Sequence, residues 1–269
     1  MEIKKKYQTN SRKFIFSTVI LSIIVVLPIV ALIFSTINID TSNFKYLWNN
    51  LLLDYSFDTV YLVLITSFFS LIFGVFPAWY ISTNNFKGKN IYDILLYLPL
   101  AIPVYIMAFT YSDILSYTGP MQSFLRNYFP ELAVFFNQDY LQIEILGIIM
   151  ALALYPYIYT ACRLSFSLVG SNYIDLSRSL GMSRTKTFYK IVIPLSRVSI
   201  FSGLFLVIME VLNEYGAVKY FGVNTFTSGI FRSWYSMQDV ETASLLAVFL
   251  FFIVVLSLIH ISEPTRLGF

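Results

Sequence analysis

Five long stretches of this chain carry no charged residue: 14–39, 59–86, 94–112, 145–162 and 242–262. A helix needs about 20 apolar residues to cross a hydrocarbon core about 30 Å thick. Inside a bilayer every backbone N–H and C=O must be bonded within the protein, so such runs have few folds open to them. A sixth apolar run, 198–209, is shorter and continues past Glu210 and Glu214. The predicted fold is all-α, a polytopic membrane protein with six transmembrane helices at about 14–36, 58–83, 93–115, 144–168, 195–215 and 241–259. Composition points the same way, with 12% charged residues and a mean hydropathy of +0.71, against about 25% charged in soluble domains. The single cysteine, Cys162, excludes a disulfide scaffold, and 26 Phe with 20 Tyr exclude a disordered chain.

Charge placement predicts the orientation. With the N-terminus inside, fourteen of the eighteen basic residues lie in or beside the inner segments 1–13, 84–92, 169–194 and the C-terminal tail. The outer loops hold only Lys45, Arg126, Lys219 and Arg232, which is the inside-positive asymmetry. The first helix follows Lys4, Lys5, Lys6, Arg12 and Lys13 but is longer than a signal-peptide core, so an uncleaved anchor is expected. Pro28, Pro77, Pro99, Pro103 and Pro156 are expected to bend their helices. Trp48, Trp79 and Trp234 read as interfacial anchors.

The longest inner loop, 170–194, is the most informative segment. Asn172 is a predicted helix cap, with Asp175 in the first turn. Gly181 supplies a left-handed stop, and Ser183 caps a second helix running to Pro194. Tyr173, Leu176 and Leu180 share one face of the first, short helix. So short a helix is marginal in water and needs a cover, either its own bundle or another protein.

This loop resembles the cytoplasmic loop of binding-protein-dependent ABC importer permeases, whose pattern is Glu-Ala-Ala, three residues, Gly, nine residues, Ile-x-Leu-Pro. Here Asp175, Leu176 and Ser177 stand for the first triplet, then Gly181, then Ile191, Val192, Ile193 and Pro194, with the spacing intact. The resemblance implies a type I importer-permease (MetI-like) fold. It also implies that this loop couples the chain to a separate ATPase subunit, which would carry the ATP and Mg; none is expected on this chain. Further implied partners are an extracytoplasmic substrate-binding protein and a second permease half or copy. The implied location is a bacterial cytoplasmic (inner) membrane. Residues 98–103 and 116–123, together with 210–230, are similar to the ferric-iron permease group. Ferric iron is therefore the expected cargo, with thiamine, sulfate or phosphonate as alternatives. The chain resembles the first half of such permeases, so a second half or second copy is expected to complete the transporter.

Glu210 and Glu214 lie four apart on one helix face, and a bare carboxylate in lipid is costly. Two readings stand open. They are structural, pairing with Lys219 or Arg163 or capping a helix, or they line a translocation path for a cation that favours oxygen ligands. A structural role is expected for Glu210, deeper in the helix, while Glu214 beside Tyr215 and Gly216 is more open to cargo. As a secondary carrier, the runner-up class, the chain would use the same two carboxylates as ion sites. No phosphate-binding P-loop, zinc-binding His motif or Ser nucleophile elbow is present, so no catalytic residue and no metal ligand is assigned. Asp58, Asp93, Asp113 and Glu144 lie at predicted interfaces and suggest no special role. Residues 260–269 depart from the permease resemblance and read as a non-native tail. The expected organisation is thus an inner N-terminus at 1–13, a six-helix domain at 14–259, and that tail.

Overall fold

The computed structural model describes residues 2–37 and 41–262; the side chains of 2–12, 41–43, 47, 50, 169–172, 174, 175, 178 and 257–262, Asn172 and Asp175 among them, lie outside that description, as do residues 263–269. Every described element is helical. In chain order they are α1 (Glu2–Phe34), α2 (Thr41–Asn50), α3 (Leu52–Thr83), α4 (Lys89–Leu95), a 3-10 turn (Leu98–Ala101), α5 (Val104–Leu115), α6 (Pro120–Tyr128) and α7 (Pro130–Phe136). Then come α8 (Ile143–Ser179), α9 (Arg184–Thr187), a π-helical turn (Phe188–Val192), α10 (Ile193–Leu195) and α11 (Arg197–Asn213). The chain continues through α12 (Gly216–Phe221), α13 (Phe226–Phe231), a second π-helical turn (Arg232–Ser236) and α14 (Val240–Ser262).

Among the described residues, three single helices are long and apolar enough to cross a membrane: Lys13–Phe34, Leu52–Thr83 and Ile143–Leu168. Two bent helix pairs are also long and apolar enough when each is taken as one span. Arg184–Leu195 meets Arg197–Asn213 at 73°, and Lys89–Ala101 meets Val104–Tyr128 at 96°. The apolar stretch Val240–Leu256 of α14 is shorter. The single bent helix expected over 93–115 is therefore broken in two. Pro99 opens the 3-10 turn and Pro103 stands immediately before α5. Two ring closures four residues apart remove two N–H donors, and the helix cannot run through them. Pro77 and Pro156, by contrast, sit inside the continuous helices α3 and α8. α14 runs on to Ser262, past the expected end of the sixth span.

The core is the contact of α3, α8 and α11. α3 and α8 run in the same direction, because their paired positions climb together. Tyr61 donates to Glu144 at 3.0 Å, Gly147 lies under Ile65, and Gly74 lies under Ile158. Ile158 is fully buried between two glycines. A Cβ on Gly74 would stand 2.8 Å from its Cβ, and one on Gly203 would stand 2.7 Å from its Cα. In lipid the hydrophobic effect does not drive helices together, so close approach at small residues supplies the packing energy. Leu62, Leu146, Met150, Val207 and Tyr159 complete this buried seam.

Candidate functional site: a hairpin and the opposite end of the bundle

The helix carrying Asp175, Leu176 and Ser177 is not a separate short element. α8 continues unbroken from the membrane segment, which ends at Leu168, to Ser179. Asn172 is therefore mid-helix and not a cap. The apolar run and the polar segment join at Gly170 with no Pro, and the helix carries across. Eleven residues beyond Leu168 give a projecting arm of about 16 Å.

The arm ends where the glycine demands it. Gly181 has φ +75°, in the left-handed region, and nothing lies within 4 Å of its missing Cβ. The Met182 N–H donates to the Ser177 carbonyl at 3.0 Å, the long closing bond of a Schellman cap. Ser183 then caps α9, its side chain accepting from the Lys186 N–H at 3.3 Å. The two arms are fastened across the turn by the buried pair Ser177 and Thr187, whose hydroxyls stand 2.8 Å apart. Phe188 is buried in an aromatic nest, 5.2 Å from Trp79 and 5.9 Å from Phe76, with Trp79 edge-on to Phe166. Trp79 thus packs into the hairpin's seat. Arg184 donates to Asn84 at 3.1 Å, joining the hairpin to the end of α3.

Ile191 lies in the π-helical turn, and Ile193 and Pro194 in α10, so the terminal Ile-Val-Ile-Pro forms the bend into α11. The predicted apolar face is left open. Tyr173, Leu176 and Leu180 are 52%, 59% and 73% exposed, and Tyr189 of the π-helical turn is exposed as well.

One polar link near this end was not visible in the sequence. Arg163 pairs with Asp93 at 3.3 Å and donates to Ser82 at 3.4 Å. Tyr159 also donates to Asp93. The link ties α4 of the broken span to α8. Its members lie 66 and 70 positions apart, beyond any local pattern.

At the other end of the bundle the two glutamates part company. Glu214 lies just past α11, and its Oε1 accepts the Ala217 N–H at 2.8 Å, capping α12. Glu210 stays on α11, exposed, accepting from the Tyr157 hydroxyl at 3.2 Å. Neither pairs with Lys219 or Arg163 among the described residues. α11 stops at Asn213, so Glu214 is drawn into a cap and Glu210 is left facing outward. Among the described residues no three His, Cys, Asp or Glu side chains gather as a metal cage. Cys162 is buried on α8.

A family model described as "Binding-protein-dependent transport system inner membrane component" matches residues 70–264. The sulfate transport system permease protein CysT of Salmonella typhimurium is 26% identical over 168 residues, which span 62% of this chain and 57% of that protein. The Fe(3+)-transport system permease protein FbpB 2 of Haemophilus influenzae is 26% identical over 199 residues, spanning 74% of this chain and 35% of that protein. The molybdenum transport system permease protein ModB of Escherichia coli is 29% identical over 158 residues, 58% of this chain. The chain thus spans only about half, or a third, of the first two relatives. In solved structures the fold recurs in a chain of a bacterial alginate ABC transporter in complex with alginate pentasaccharide-bound periplasmic protein. There the TM-score is 0.73 at 16% identity over 94% of both chains. It recurs also in a chain of the MetNI methionine ABC transporter, with a TM-score of 0.61 at 14% identity over 82% of this chain.

Proposed function

The chain belongs to the binding-protein-dependent transport system inner membrane components, and from that premise we propose that it is the pathway-forming permease subunit of an ATP-driven importer for ferric iron. Its N-terminus lies inside, which brings the basic residues of the hairpin to the cytoplasmic face. The hairpin around Gly181 docks a separate ATPase, where ATP and Mg act. The opposite end receives cargo from an extracytoplasmic binding protein, and a second permease half or copy closes the pathway.

The observation that carries this reading is the projecting end of α8. An isolated surface arm would bury its apolar face, yet Tyr173, Leu176 and Leu180 stand open while Phe188, Thr187 and Ser177 of the same hairpin are buried. One side of the hairpin is fixed to the bundle and the other is presented. That is the construction needed to pass a push from a partner into α8 and, through Pro194 and Ser196, into α11. Asp175, Leu176, Ser177, Gly181, Ile191, Ile193 and Pro194 are assigned to this coupling element. Glu210 is assigned to the pathway wall, because an exposed membrane carboxylate must face a partner or water; Glu214 is assigned to the α12 cap. Ferric iron is supported by the similarity over 98–103, 116–123 and 210–230.

Co-purification with the ATPase of its own transporter tests the docking face. Leu176→Glu with Leu180→Glu should abolish association while the chain keeps its thermal stability. Undiminished association would remove the hairpin from the interface.

A further inference from the structure

The outer end holds a pocket of about 240 Å³ that neither the hairpin nor Glu210 accounts for. It is lined by Tyr55 of α3, Tyr215 and Lys219 around α12, Asn224, and Arg232 with Tyr235 of the second π-helical turn. Arg232 donates to the Tyr55 hydroxyl at 2.9 Å, whereas Arg184 of the hairpin bonds Asn84 at the far end of α3. The pocket and the hairpin are therefore separated by the length of that helix, about 44 Å.

We propose that this pocket binds an oxyanion group, with Lys219 and Arg232 as its two cations. The charges around it are distributed unequally. Of the acids nearby, Glu214 caps Ala217, Asp239 accepts from the backbone and hydroxyl of Thr242, and Asp58 stands beside the Asn224 backbone. The cations are not so engaged. Among the described residues neither Lys219 nor Arg232 has a carboxylate within ion-pair distance.

Both cations are nevertheless held in place. The Tyr55 ring that fixes Arg232 is buried against Gly229, where a Cβ would stand 2.8 Å from it. Lys219 lies over the Tyr215 ring at 5.4 Å, and that ring stacks on Phe231 at 3.8 Å. Guanidinium offers five N–H donors and ammonium three, and the bonds found here leave most of them for a ligand. π-Helical turns occur often at functional sites, and one of the two in this chain begins at Arg232. Arg presents a planar fork suited to an oxyanion and Lys a mobile point charge.

The same chemistry has two sources, a free tetrahedral oxyanion or a carboxylate on a docking protein. The proposal rests on the importer reading but not on the choice of iron. The test uses the full chain in lipid nanodiscs with radiolabelled sulfate, competed by molybdate and separately by acetate. Saturable sulfate binding should weaken about tenfold for each of Lys219→Gln and Arg232→Gln. It should survive Lys219→Arg and the outer-loop control Lys45→Gln. Competition by molybdate alone assigns a free oxyanion, and equal competition by acetate assigns a carboxylate group; either supports the site. Absence of saturable binding, or binding unchanged in the double Gln variant, overturns it. Loss of this site would leave ATPase association at the hairpin intact, so the two readings fail separately.

Discussion

Replacing Gly181 with Val separates the backbone requirement of the hairpin from everything around it. No atom lies within 4 Å of the added Cβ, so that atom meets no neighbour. The backbone penalty is that of holding a residue with a side chain at φ +75°. That conformation costs an L-residue roughly 1–2 kcal/mol, and a β-branched one lies at the upper end. At about 1.4 kcal/mol per factor of ten, the native turn should lose at least about tenfold in occupancy. The Schellman bond from Met182 to Ser177 is lost with it. The bundle should survive, because Phe188 and the Ser177–Thr187 pair hold the hairpin base independently. Gly181→Asn tolerates the left-handed region and should behave almost as wild type. The assay is ATP hydrolysis and uptake by the reconstituted complex, both per assembled complex, alongside thermal unfolding of the purified chain. Val should preserve assembly and unfolding temperature while lowering uptake per ATP, and Asn should restore it. Normal uptake per ATP in a fully assembled Val variant would refute the reasoning.

Other perturbations test other parts of the structure. Gly203→Val places side-chain atoms against the Ile158 backbone, where even a Cβ comes within 2.7 Å, and should destabilise the bundle by about 1–3 kcal/mol in denaturant or thermal unfolding. Ser177→Ala removes a buried cross-hairpin bond and should cost about 1 kcal/mol by the same measurement, without blocking ATPase association. Glu214→Ala removes the α12 cap and should lower stability by about 1 kcal/mol, with Glu214→Gln close to wild type. Glu210→Gln keeps a bond to Tyr157 and should leave assembly unchanged but slow uptake per complex; unchanged uptake would remove Glu210 from the pathway wall.

Much of the architecture is legible in the sequence because lipid makes charge so expensive. Charge-free runs locate α1, α3, α8 and α14, and the run before Glu210 locates α11. The hairpin's stop and restart are legible too, since Gly181 and Ser183 act through their own backbone geometry. What escapes the sequence is set by distant partners. Asp93 looked like a bland interfacial charge, and its role depends on Arg163 and Tyr159 across the fold. Trp79 has the position of an interfacial anchor, yet Phe188 and Phe166 draw it into packing. The break at Pro99 and Pro103 was legible as a bend but not as a 96° turn between two helix pairs. Glu210 and Glu214 share a face only if the helix continues, and it ends between them at Asn213.

The central claim is that cargo movement through this chain is driven by ATP acting at the hairpin. The most direct measurement is uptake of labelled ferric iron into proteoliposomes holding the complete complex, with its binding protein outside. ATP is supplied or withheld inside, with and without an imposed ion gradient. Uptake should require internal ATP, ignore the gradient, and vanish with Leu176→Glu and Leu180→Glu together. Uptake that follows the ion gradient without ATP, and persists in that double variant, would make the chain a secondary carrier and contradict the account.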